Sequence, residues 1–77
     1  PENFVGRDLS SADFADANLT GASLGQTDLT FAYLSGANLN HAQLDLANLF
    51  GANLTGDNLS RAKLTGVVGA DFTGAII

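Results

Sequence analysis

Ala17-Asn18-Leu19-Thr20-Gly21, Ala37-Asn38-Leu39-Asn40-His41 and Ala52-Asn53-Leu54-Thr55-Gly56 are five-residue units that open on the same Ala-Asn-Leu. Stepping outward by fives finds a large apolar centre at every beat. The series runs Phe4, Leu9, Phe14, Leu19, Leu24, Leu29, Leu34, Leu39, Leu44, Leu49, Leu54, Leu59 and Leu64. Two places before the centre stands a small residue, as at Ala12, Ala22, Ala32, Ala42 and Ala62, with Thr27 and Asp57 as departures. Asn or Asp commonly precedes the centre, Ser or Thr often follows it, and Gly often closes the unit. An internal repeat of this regularity outranks any local reading of the chain.

Neither common secondary structure can bury such a pattern. A helix turns about 100° per residue, so steps of five would scatter the leucines around its circumference. A flat strand alternates its faces, so Leu19 would point in and Leu24 out. The backbone must therefore bend once per quintet and wind around a column formed by Leu19, Leu24, Leu29, Leu34, Leu39, Leu44, Leu49, Leu54, Leu59 and Leu64. Ala fits the second inward position because the leucines leave little room. Gly21, Gly36, Gly51, Gly56 and Gly66 suit the corners, where unusual dihedrals cost glycine least. Coils stacked in this way bury their faces only against one another.

The units resemble those of the pentapeptide-repeat proteins, which read A-[D/N]-L-x-x. The likeness covers Phe4 to Leu64 without a gap and resumes at Ala70-Asp71-Phe72-Thr73-Gly74. The resemblance implies an all-β fold: a right-handed quadrilateral β-helix with four repeats, or twenty residues, per coil. At that pitch the chain makes about three and a half to four coils. One domain is expected over 1–77. Residues 1–11 form an imperfect N-terminal lead-in, 12–64 the regular repeats, 65–69 a register break and 70–77 the final repeats.

Glu2 and Arg7 fall where a small residue belongs, so the lead-in is expected to be a loosened polar cap. An anion contact is the functional alternative for Arg7. Leu64 and Phe72 stand eight residues apart, which reads as a quintet with three extra residues forming a bulge or altered turn. The apolar ending, with Phe72 and Ile77 as its last centres, calls for cover by a partner, a second copy or residues outside this chain, since open strand edges invite association.

Net charge is −5, from eight acids against Arg7, Arg61 and Lys63. That balance argues against a phosphate-backbone binder, which needs a basic stripe. Direct nucleic-acid binding is therefore not expected. No apolar run approaches membrane-spanning length, so no membrane insertion is expected either. Cysteine is absent, which leaves no disulfide or thiolate site to infer. A soluble, cytoplasmic setting is the expectation, with a lumenal or periplasmic one open should a leader have been removed. The family is especially common in photosynthetic bacteria, which makes a bacterial source the first expectation.

Residues twenty apart should stack. Asn18, Asn38 and Asn58 then form a ladder of outward amides able to bond to one another. Asp8 stacks on Asp28, with Asn48 beyond; two carboxylates are a poor hard-cation site without more oxygens. Asp57 puts a carboxylate where Ala belongs, and an unpartnered buried charge is expensive. It is expected to cap backbone amides or to face out through a local distortion, a titrating functional carboxylate being the other reading. His41, the single histidine, reads as a solvated corner residue near Arg61. The glycosylation-like triplets beginning at Asn18, Asn53 and Asn58 fall out of the repeat itself.

No catalytic, cofactor-binding or metal site is expected. The repeat assembles no thiol, no histidine cluster and no Ser-His-acid arrangement. The sharpest surface clue is a set of large apolar residues at outward positions: Phe31, Tyr33, Leu46 and Phe50. Together they would make a protein-contact patch; scattered over the corners they would make none. The expected role is a non-catalytic structural or protein-interaction module, working through that patch, its coil ends or self-association. The alternative is an acidic DNA mimic that inhibits a DNA-binding enzyme such as gyrase, as some longer members of the family do.

Overall fold

A computed structural model describes residues 2–77. Its architecture follows from what happens at each fifth residue. The N–H of the residue three beyond each centre donates to that centre's carbonyl, as Ala17 does to Phe14, Ala22 to Leu19 and Ala42 to Leu39. The intervening corner residue has a positive φ without exception from Gly6 to Gly66, including Ser11, Asp16, Gln26, Phe31, His41, Leu46 and Arg61. A hydrogen-bonded turn with positive φ at its second central residue is a type II turn. One such turn per quintet is the bend that the spacing of the leucines demands.

Between turns lie three-residue extended segments, each held to the coils below and above by parallel bridges. Four ladders result. The first joins Asn3, Ser23, Gln43 and Lys63; the second Asp8, Asp28, Asn48 and Val68. The third joins Asp13, Tyr33 and Asn53, and the fourth Asn18, Asn38, Asn58 and Ile76. The step is twenty residues everywhere but the last, where Asn58 pairs with Ile76. No helix occurs among the described residues. The chain is a β-helical solenoid.

The interior is the predicted column. Leu24 to Leu59 are at most 2% exposed, and Leu19 is 5% exposed. Leu64, expected in the same column, is only half-buried, as are Phe4, Leu9, Phe14 and Phe72 near the two ends. Centres in the middle coils have an apolar neighbour on both sides along the axis, whereas these have one. Thr27 fills a small-residue position by donating its hydroxyl to the Leu24 carbonyl at 2.7 Å.

The Asn and Asp residues before each centre have a local task. Their Oδ1 accepts the backbone N–H two residues on: Asn18 from Thr20, Asn38 from Asn40, Asn58 from Ser60 and Asp28 from Thr30. This Asx arrangement satisfies the first N–H of the corner, which no other backbone group takes up. At Asp8–Ser10, Asn18–Thr20, Asp28–Thr30 and Asp71–Thr73 the hydroxyl after the centre donates to the same oxygen. The stacked amides of Asn18, Asn38 and Asn58 therefore turn their Oδ1 atoms to their own corners, a structural task other than the amide-to-amide bonding that stacking would allow.

Two further expectations are corrected. The lead-in is not loosened, because Asn3 and Asp8 bridge Ser23 and Asp28 with the ordinary step, while Glu2 and Arg7 accept from Ser23 and Asp28 through their carbonyls. Their long side chains simply stay exposed at the open end of the column. Nor does the break at 65–69 insert a bulge. Val68 still pairs with Asn48, and Ile76 then meets Asn58, so the last coil closes two residues early. Val67-Val68-Gly69 is a repeat unit whose centre has been lost, and Gly69 passes close over Phe50.

Candidate protein-contact surface

The four outward apolar residues are each 55–58% exposed. Phe31 and Phe50 meet edge to face, with ring centroids 5.7 Å apart and planes at 86°. Their neighbourhood follows from the stacking: Phe31 is the corner directly below Gly51, and Phe50 is the residue before it. Tyr33 stands two places beyond Phe31 on the third ladder. Leu46 lies at the opposite corner of the second ladder, two residues before Asn48 as Phe50 is two after. Alternation along an extended strand turns Leu46, Asn48 and Phe50 outward together.

Sequence reasoning missed the residue that fills the gap between them. Val68, 57% exposed, bridges Asn48 and so stands above it between the two corners. Reading the eight-residue gap as an insertion hid this placement. Continuing the twenty-residue step past Leu64 would have revealed it.

Two members of the set occupy a backbone conformation that bulky side chains avoid. Phe31 has φ 59° and Leu46 has φ 63°. Such residues carry a strain of roughly 1–2 kcal/mol. Each is accommodated by a glycine one coil up. A Cβ at Gly51 would come within 2.5 Å of Phe31 Cδ1, and one at Gly66 within 2.7 Å of Leu46 Cδ2. Each side chain thus occupies the space the missing Cβ leaves free.

Away from this surface, Asp57 is the chemically unusual group. It is fully buried, in the column below which lie Ala37 and Ala17. Its Oδ1 accepts the Ala37 N–H at 3.1 Å, while Oδ2 has no partner. Burial pushes its carboxyl up to about 7, against the pull of hydrogen bonds from the Ala37 and Gly36 amides. Of the two structural readings, capping of backbone amides is the one realised, and the side chain does not turn outward. His41 stands exposed at the corner below Arg61. Asp8 and Asp28 are bridged as expected, each with its Oδ1 engaged by its own corner. Among the described residues no three His, Asp or Glu side chains gather as a metal ion would require. No helix there is long and apolar enough to cross a membrane.

A quintet of small residue, Asx, buried centre and type II corner, repeated at a twenty-residue stacking period, matches one family model. The model for pentapeptide repeats aligns with residues 3–30 and 27–66, in eight copies. The chain belongs to the pentapeptide-repeat family. Among curated proteins none matches it. Among solved structures it is similar to a pentapeptide repeat protein from the cyanobacterium Cyanothece 51142. That pair shares 37% identity at a TM-score of 0.72, over 96% of this chain and 56% of that one. A pentapeptide repeat protein of the Arabidopsis thaliana thylakoid lumen matches at 28% identity and TM-score 0.53, over 96% and 63%. The plasmid-mediated fluoroquinolone resistance protein QnrB1 matches at 24% and 0.50, over 91% and 45%, a likeness of fold alone. The chain spans about half the length of these relatives.

Proposed function

We propose that this pentapeptide-repeat chain is a non-catalytic interaction module whose contact surface is Phe31, Tyr33, Leu46 and Phe50, extended by Val68. The observation that carries the reading is the pairing of strain with exposure. Phe31 and Leu46 hold left-handed corners that favour glycine, yet their side chains stay more than half exposed. A residue that costs stability and leaves its apolar surface in water gains little for the fold. It is better explained by contact with another molecule, where aromatic residues are enriched. The coil that presents it takes the right hand, four-sided section and three and a half to four coils that the family resemblance implies. The partner is a protein.

The acidic-mimic alternative has less behind it. A surrogate for a phosphate backbone needs regularly spaced charge, and no ladder here is acidic throughout. The second runs Asp8, Asp28, Asn48, Val68, and the fourth is Asn until it ends in Ile76.

Replacement of both Phe31 and Phe50 by Ser tests the proposal. Sedimentation and affinity capture from a cell lysate should lose whatever association the unaltered chain shows, with the fold unchanged by circular dichroism. Identical association by both proteins would remove the patch from the account.

A further inference from the structure

Charge is unevenly shared among the sides of the coil. Asp8 and Asp28 stand on the second ladder, Asp13 on the third, and Asp45 at the corner leading into the second. The outward positions of these two ladders, and of the corner between them, hold no Lys, Arg or His. Lys63 belongs to the first ladder, while Arg61 and His41 occupy the corner before it. Arg7 lies at the open end of the column, outside the outward row. The acidic side is also the side that bears the exposed apolar residues.

The second ladder is graded along the axis. From the last coil down it reads Val68, Asn48, Asp28 and Asp8, with about 4.8 Å between coils. Its upper part is apolar, since Leu46 and Phe50 flank Asn48 and Val68 stands above. Its lower part is anionic. Asp45 adds to that part, because a Cβ at Gly25, one coil down, would lie 3.4 Å from the Asp45 Oδ1. That carboxylate therefore hangs beside the coil of Asp28. Asp28 gives its Oδ1 to Thr30 and keeps a second carboxylate oxygen to offer. Along a helix, residues four apart rise about 6 Å and residues seven apart about 10.5 Å. An apolar residue seated among Leu46, Phe50 and Val68 thus brings side chains one and two turns further on over Asp28 and Asp8. A second copy of this chain suits the face poorly. It carries a net charge of −5, and its Arg61 and Lys63 stand beside His41 and Gln43 with no apolar anchor. A nucleic acid or an anionic bilayer would meet like charge.

We propose that the face from Val68 down to Asp28 takes a cationic amphipathic helix of another protein, lying along the coil axis. Its apolar side chain sits among Leu46, Phe50 and Val68, and its lysine or arginine side chains meet Asp28 and Asp45. The inference rests on the contact-surface reading and deepens it by giving the partner's chemistry. The apolar seat supplies most of the affinity, and the carboxylates below it set the direction in which the helix lies.

The test is NMR titration of the labelled chain with the acetylated, amidated peptide Leu-Lys-Lys-Leu-Leu-Lys-Lys-Leu-Leu-Lys-Lys-Leu. Shifts should gather at Leu46, Asn48, Phe50 and Val68 and leave Gln43 and Lys63 unmoved, and affinity should fall as salt rises. Asp28→Asn with Asp45→Asn, which keeps an acceptor for Thr30, should weaken binding about fivefold, the scale of exposed ion pairs. Phe31→Ser with Phe50→Ser should weaken it at least about tenfold, with the amide spectrum of the other faces unchanged. Shifts centred on the first or fourth ladder would overturn the proposal, as would none at millimolar peptide. If the peptide with Gln in place of every Lys binds the same residues as tightly, the contact surface stands and its cationic partner falls. If the Lys peptide binds the Phe31→Ser, Phe50→Ser chain as tightly as the parent, the contact surface falls and takes the proposal with it.

Discussion

Coils two and three differ from the last coil by two residues of chain, and nearly every irregularity of the molecule gathers where those two are lost. From Ala22 to Leu49 the step to the next coil is constant, and as far as Leu59 the centres are sealed and each central N–H has its carbonyl, save Leu54 under the shortened turn. In the last coil Leu64 and Phe72 are half-buried, Gly69 stands where a centre belongs, and Asp71 has no bridge. The lesson is that the quintet does not merely choose which residues are inside. It keeps successive coils in phase, and hydrogen bonding between coils depends on that phase.

The largest contrast should come from truncating a centre in each region. Leu39→Ala removes a fully buried side chain from a packed column and should cost about 2–5 kcal/mol. Phe72→Ala, in the last coil, should cost distinctly less despite the larger side chain. Urea unfolding of the two variants decides it, and equal losses would erase the distinction between the regions.

Asp57 sharpens the contrast through pH, because it lies under the last coil, where the repeat asks for Ala. Its folded carboxyl titrates near 7, above the ordinary 3.8, so folding favours the protonated form. The stabilising proton is fully bound below the unfolded value, and its contribution is lost as pH rises through about 7. Asp57→Ala should therefore gain on the parent protein steadily between about pH 4 and pH 7. Asp8 and Asp71 run the other way. Hydroxyl and backbone N–H donors from Ser10 and Thr73 hold their carboxyls below the ordinary range, so their contribution is lost as pH falls through the folded values. Thermal melts of parent and variant across pH would read this. A stability difference flat in pH would mean that Asp57 is not held in the interior.

A smaller effect separates two corners. Gly51→Ala meets both an unfavourable φ of +72° and the Phe31 ring, whereas Gly6→Ala, also at +72°, meets open space. Gly6→Ala should cost about 1–2 kcal/mol, and Gly51→Ala more. Adding Phe31→Ala should recover the excess, so a double-mutant cycle with no coupling would contradict the stacking of corner on corner. Smallest of all is the loss of one Asx bond. Asn38→Ala should lower stability by about 0.5–1.5 kcal/mol in chemical denaturation, with no change of fold.

Most of this regularity was legible in the residues, because burial alone makes the quintet winding necessary. Period, interior column and the oddity of Asp57 follow from counting, while the stacking partners needed the four repeats per coil that the family resemblance implies. The shortened coil did not, since eight residues are equally five with three added or ten with two removed. The unit Val67-Val68-Gly69 has lost the leucine that would have marked it. Val68 was overlooked as a neighbour of the aromatic pair for the same reason. The Asn side chains were legible as structural but not in their particular task, because spacing shows which residues stack, whereas the turn decides where their acceptors point. The left-handed corners at Phe31 and Leu46 were hidden too, since residue type there advertises the opposite of the conformation adopted.

Hydrogen-bond scalar couplings between amide nitrogens and carbonyl carbons reach the central claim most directly. The winding described here requires cross-peaks from Leu24 to Gln43, Leu29 to Asn48 and Leu39 to Asn58, and from Leu59 to Ile76 in the short coil. Couplings from these leucines to carbonyls four residues earlier, or a Leu59 partner other than Ile76, would contradict it.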